Sequence, residues 1–118
     1  MKLAIAIPAR WGSSRFPGKP LAMIGGKTML ARVTELARSC ADPETAVFIT
    51  TEDQRIADHA AALNVPCYIT PPDCPTGSDR VLAALQQMPE PPTFVINLQG
   101  DAPFTPTAVL KALIKAFT

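Results

Sequence analysis

The chain has 118 residues, 47% of them hydrophobic and 18% charged, with a formal net charge of +1. At this length one globular unit can bury about two-thirds of its unfolded surface without metals or disulfides, and the hydrophobic share excludes a disordered chain. The near-neutral balance supplies no overall field for nucleic acid or membrane, and apolar runs such as residues 3–7 and 94–98 are far too short to span a bilayer.

Residues 2–8 form a short apolar run ending in Pro8, and residues 9–22 are rich in Gly, Pro, Ser and Arg: a buried strand followed by a long loop. Met1 and Lys2 lead straight into that strand with no secretory-type cleavage site after it, so the expected location is the cytoplasm. From Thr28 the apolar positions Met29, Val33, Leu36, Ala37 and Cys40 recur at helical spacing, and Pro43 lies just beyond. Residues 45–51 read as a strand through Val47, Phe48 and Ile49, and a helix with Ile56, Ala60 and Leu63 on one face follows. His59, the one histidine, lies in that helix and reads as part of a solvated face.

Residues 65–70 are a third strand, with Pro66 marking an edge or an irregular start. After the loop 71–77, Val81, Leu82, Leu85 and Met88 line a helix that must stop before the prolines at 89, 91 and 92. Residues 93–98 are a buried strand; Gln99, Gly100 and Asp101 then turn polar. Thr105 and Pro106 read as N-cap and first residue of a last helix carrying Val109, Leu110, Leu113, Ile114 and Phe117. That helix runs to Thr118 without a cap, so its outer face and the sheet edge are expected to await further chain. Cys40, Cys67 and Cys74 are irregularly spaced, offer neither a disulfide framework nor a paired metal site, and are expected to be reduced; Cys74 alone lies near a motif.

The alternation of strand and helix predicts a parallel α/β sheet with helices on both faces. Ligands of such sheets collect beyond the carboxyl ends of the strands, which selects three loops: 8–20, 71–80 and 99–104. The first holds Arg10, Arg15 and Lys19 with Ser13, Ser14 and two glycines. Guanidinium groups give bidentate contacts to phosphate, an ammonium gives a mobile point charge, and small residues let backbone N–H groups approach. Trp11 either shields such a site or covers the surface. The second is Thr76-Gly77-Ser78-Asp79-Arg80 at a loop-to-helix junction, which is an anion or base-edge site or a plain N-cap. The third is Asn97-Leu98-Gln99-Gly100-Asp101, where the strand-end carboxylate of Asp101 can hold a hard cation or simply form a turn. The P-loop and dinucleotide-binding glycine fingerprints are not present.

Residues 8–21, with Pro8-Ala9-Arg10, a spacer with Ser13 and Ser14, Arg15, and Pro17-Gly18-Lys19-Pro20-Leu21, resemble the opening signature of the CMP-KDO synthetase family. Residues 76–80 resemble that family's S-G-T/S-D/E-R element, with Cys74 and Thr76 as variants, and residues 99–103 resemble its Q-G-D-E-P, with Ala102 in place of Glu. The resemblance implies a Rossmann-like nucleotidyltransferase fold, incomplete in a single domain of this length. It implies that Pro8, Ala9, Arg10, Ser13, Ser14, Arg15, Lys19, Thr76, Gly77, Ser78 and Arg80 bind CTP, the second segment reading the cytosine. Asp101 would hold Mg2+, and Arg10, Lys19, Gln99 and Asp101 would serve catalysis, Gln99 by orienting the sugar. The implied reaction transfers CMP from CTP to KDO or a related sugar acid with release of pyrophosphate, as in lipopolysaccharide or capsule precursor synthesis. Only the amino-terminal half of a family member is covered; sugar-carboxylate ligands, a second metal-binding Asp and the homodimer region are expected beyond it. Three other readings stay open: a non-catalytic CTP-binding fragment, an enzyme for an N-acylneuraminate or amino-KDO, and a nucleotidyltransferase for neutral sugar phosphates.

Overall fold

The first strand, β1 (Leu3–Pro8), is buried along its whole length, and the molecule is built outward from it. In the computed structural model, residues 3–12, 17–100 and 105–116 are described. β1 carries no charge, and its alternation of Leu3, Ile5 and Ile7 with Ala4 and Ala6 sends large side chains to one side and small ones to the other.

A one-turn 3-10 helix (Lys19–Leu21) and a hairpin of β2 (Met23–Ile24) and β3 (Lys27–Thr28) follow; neither was expected within or after the long loop. Gly25 and Gly26, at φ 58° and 85°, supply the left-handed pair that a two-residue hairpin turn requires. Then come α1 (Met29–Cys40), β4 (Thr45–Thr51), α2 (Gln54–Ala62), β5 (Cys67–Ile69), α3 (Gly77–Leu85), β6 (Phe94–Asn97) and α4 (Thr107–Ala116). Among the described residues the main sheet has the order β5-β4-β1-β6, with every pairing parallel.

The large side chains of β1 pack under α1, α2 and α4, through Leu30, Val33, Ile56, Ala60, Leu110 and Ile114. Ala4 and Ala6 face Val81 and Ala84 of α3, with Phe48 beside them; the small β1 residues let α3 approach closely. Helices therefore cover both faces, as predicted. Each cap matches its sequence: Thr28, Asp53 and Thr76 accept from the backbone N–H groups of Ala31, Arg55 and Asp79.

The differences from the sequence reading are local. The third strand shortens to Cys67–Ile69, on the edge that Pro66 announced. The last helix begins at Thr107, where the carbonyl of Pro106 accepts from Val109 and Leu110, so its start lies one to two residues later than expected. Leu82, Val109 and Leu113, expected on packed faces, are exposed, because α3 and α4 each turn only part of their apolar stripe to the sheet. His59 is half-buried rather than solvated: its Nε2 lies 2.7 Å from Thr28 Oγ1 and ties α2 to the cap of α1. No helix among the described residues is long and apolar enough to cross a membrane.

Candidate functional site

In the sheet order, β4 and β5 lie on one side of β1 and β6 on the other, which makes the carboxyl end of β1 the switch point. The first and third of the loops expected to carry function leave the sheet there, and the second comes from the edge strand β5. Beyond β1, Ala9 N–H donates to Thr50 O at 2.9 Å and continues the ladder one residue past the strand. Trp11 and Gly12 then donate their backbone N–H groups to Glu52 Oε1 and Oε2 at 2.9 and 3.4 Å. The loop closes on itself where Gly18 N–H donates to Trp11 O at 2.8 Å. Gly18, at φ 73°, is the N-cap of the turn that begins with Lys19, and a Cβ there would lie 2.7 Å from Trp11 Cη2.

The second segment forms the start of α3. The Thr76 hydroxyl accepts from Asp79 N–H at 3.1 Å and donates to Asp79 Oδ2 at 2.7 Å, so the side chain caps the helix. Arg80 is only 3% exposed, and its Nη1 donates to Thr70 Oγ1 at 2.7 Å and Pro71 O at 3.1 Å. A buried guanidinium bonded to neutral oxygens fixes the 70–77 loop against α3 while keeping its positive charge at the site. Ser78 turns to β6, where its Oγ accepts from Asn97 Nδ2 at 3.2 Å.

Past β6, Leu98 N–H donates to Ala6 O and Gly100 N–H to Pro8 O, at 2.8 and 3.0 Å. The third segment thus runs beside the first. Gly100 has no space for a side chain: a Cβ would lie 2.8 Å from Ala9 Cβ and 3.2 Å from Pro8 O. Gly77 also packs closely, since a Cβ would lie 2.9 Å from Gln99 Nε2, but that amide end can swing aside. These contacts lock the three segments together at their glycines.

Between them lies an open cleft of about 290 Å³. Its walls include Pro8, Ala9, Arg10 and Lys19 from the first loop, Thr76, Gly77 and Arg80 from the second, and Gln99 from the third. All eight were singled out from sequence; Ser78 is not on the wall. Ser13, Ser14, Arg15 and Asp101 lie outside the described residues. Pro20, Cys74 and Pro75 also line the cleft, and each adjoins a motif residue.

The sequence reading overlooked the end of β4. Glu52 holds the backbone of the first loop, and Arg55 lies with Cζ 3.4 Å from the centroid of the Trp11 ring. The available signal was an acidic residue just past a strand's carboxyl end, the same position class as Asp101. The Arg55 guanidinium bonds Asp53 Oδ1 and Oδ2 at 2.9 and 2.8 Å and holds that carboxyl below its ordinary value of 3.8. Asp53 in turn raises Arg55 above its usual value. Burial pushes the Cys67 thiol up to about 11, so it is protonated at neutral pH. The three cysteines are free thiols, as expected.

Comparison with known proteins gives a consistent result. The chain is 44% identical over 110 residues to a 3-deoxy-manno-octulosonate cytidylyltransferase of Maricaulis maris, covering 93% of this chain and 42% of that protein. It is 42% identical over 118 residues to an 8-amino-3,8-dideoxy-manno-octulosonate cytidylyltransferase of Shewanella sediminis, covering 99% of this chain and 48% of the relative. The chain therefore spans somewhat under half the length of these relatives. Its fold matches the solved structure of CMP:2-keto-3-deoxy-manno-octonic acid synthetase complexed with CTP, with a TM-score of 0.88 at 34% identity, over 98% of this chain and 47% of the other. The family model for cytidylyltransferases matches residues 4–118, and with the sheet and the three glycine-locked segments it leads to one conclusion: the chain belongs to the cytidylyltransferase family.

Proposed function

We propose that this chain is the CTP-binding part of an enzyme that transfers CMP to KDO or a closely related sugar acid and releases pyrophosphate. The observation that carries the reading is the convergence of Arg10, Lys19, Arg80, Gly77 and Gln99 on one cleft at the switch point of the sheet. The similarity to a synthetase solved with CTP supports the nucleotide, and the names of the sequence relatives support the sugar acid.

In this reading the cationic loop receives the triphosphate: Arg10, Lys19 and, beyond the described residues, Ser13, Ser14 and Arg15 contact its oxygens. Pro8, Ala9 and the start of α3, from Thr76 to Arg80, frame the nucleoside. The sugar hydroxyl gives up its proton to solvent while its oxygen forms the bond to the α-phosphorus and the bond to the pyrophosphate oxygen breaks. Arg10 and Lys19 offset the charge gathering on the leaving group, and Gln99 orients the sugar.

The donor set suits Mg2+. This ion takes one or two protein carboxylates and completes its shell with phosphate and water. Asp101, two residues past the cleft-lining Gln99, would be that carboxylate. No cluster of three acidic, histidine or cysteine side chains occurs among the described residues. When bound, the ion would supply positive charge that offsets the charge of the phosphates. A nucleoside triphosphate substrate also fits a cytoplasmic site of action, and the longer protein is expected to be a homodimer.

A narrower reading for the chain alone, which spans under half of the relatives' length, is that it binds CTP and does not turn it over. Titration of CTP, UTP and GTP in the presence of Mg2+ tests the core proposal. CTP is expected to bind at least tenfold tighter than the others, about 1.4 kcal/mol. Equal affinities, or preference for UTP or GTP, would point to a nucleotidyltransferase for neutral sugar phosphates. Pyrophosphate release by the chain alone with KDO would overturn the narrower reading, and amino-KDO and N-acylneuraminate in the same assay decide the sugar.

A further inference from the structure

We propose that Glu52 and Arg55 are positioning residues for the cationic loop, acting through Trp11 to set the places of Arg10 and Lys19. The proposal rests on the reading of that loop as the triphosphate site. Glu52 accepts the N–H groups of two successive residues, Trp11 and Gly12, at 2.9 and 3.4 Å. Ala9 is already bonded to Thr50 O at 2.9 Å. Arg10 is thus held from both sides by the end of β4, while its side chain lines the cleft. Beyond it, the Trp11 ring lies between two controls. Arg55, fixed by its paired bonds to Asp53, stands 3.4 Å from the ring centroid. Gly18 packs so closely that a Cβ would meet the indole at 2.7 Å, and its N–H donates to Trp11 O at 2.8 Å. Gly18 caps the turn that begins with Lys19, so one indole links the carriers of both cations.

The sign of the effect separates position from charge. Glu52 is an anion beside a site for an anionic ligand; by Coulomb repulsion alone its removal would tighten CTP binding. As a clamp, its removal must weaken binding. Trp11 is the single tryptophan, so its fluorescence reports the clamp without any nucleotide. In Glu52→Ala we expect red-shifted Trp11 emission, about twofold greater quenching by acrylamide, and CTP binding about tenfold weaker. Glu52→Gln keeps one acceptor for Trp11 N–H and should fall between the two. Unchanged or tighter CTP binding in Glu52→Ala, or unchanged Trp11 accessibility, overturns the proposal. Should circular dichroism show Glu52→Ala unfolded, Arg55→Met, altered at an exposed side chain, takes its place: the same red shift, quenching and weaker binding are expected, and no change in either readout overturns the proposal. A wild-type chain that does not bind CTP would defeat the triphosphate reading instead, and the fluorescence arm would still decide whether the clamp exists.

Discussion

Thr34 shows how a single atom can be judged apart from its residue. Its side chain is 1% exposed on the packed face of α1, and its Oγ1 has no hydrogen-bond partner among the described residues. Valine has the same shape without the hydroxyl. Thr34→Val should therefore stabilise the fold by about 1 kcal/mol, the usual cost of a buried unsatisfied polar group, with no change in CTP affinity. Urea denaturation checks the first part and titration the second; a loss of stability would mean that the hydroxyl is satisfied. Residue identities around the cleft were largely legible in the sequence, because cations, glycines and a cap residue gather in the loops that the order of strands and helices selects. Glu52 and Arg55 were not. Their role depends on β4 lying beside β1 in the sheet, and on residues about forty positions apart meeting at Trp11.

At the level of elements, helix starts are set by short side chains whose acceptors replace absent backbone partners. Asp53 caps α2 and also pairs with Arg55, which lowers its pKa below 3.8. A carboxyl depressed in the folded state stabilises fully above its unfolded value, and that contribution fades as pH falls through the folded value. The stability difference between wild type and Asp53→Asn, which retains a capping oxygen, should be constant above pH 5 or so and shrink as pH falls below about 3.8 and on through the lower folded value. Arg55 is exposed and Asp53 is half-buried, so added salt should shrink the difference in part. A difference that persists unchanged in acid would contradict this account. The long periodic helices and the two central strands were predictable from their patterns. The β2–β3 hairpin was not, since two-residue strands carry no period; only the Gly25-Gly26 pair signalled it. Nor does an apolar stripe reveal which part of it packs: Leu110 and Ile114 of α4 are buried, whereas Val109 and Leu113 remain at 53% and 44% exposure.

For the molecule as a whole, one geometric idea connects fold and function. Parallel strands point three loops at the same end, and glycines at 77 and 100 let those loops touch. The order of the elements predicted that convergence, while the cleft itself required the actual register of β1 against β4 and β6. Amide shift mapping by nuclear magnetic resonance during titration with CTP and Mg2+ tests the idea at the resolution it claims. The account predicts saturable changes at Ala9, Arg10, Lys19, Gly77, Arg80 and Gln99, with α4 little affected. Shifts that concentrate elsewhere, such as around Lys111 and Lys115, or no saturable shifts at all, would contradict it.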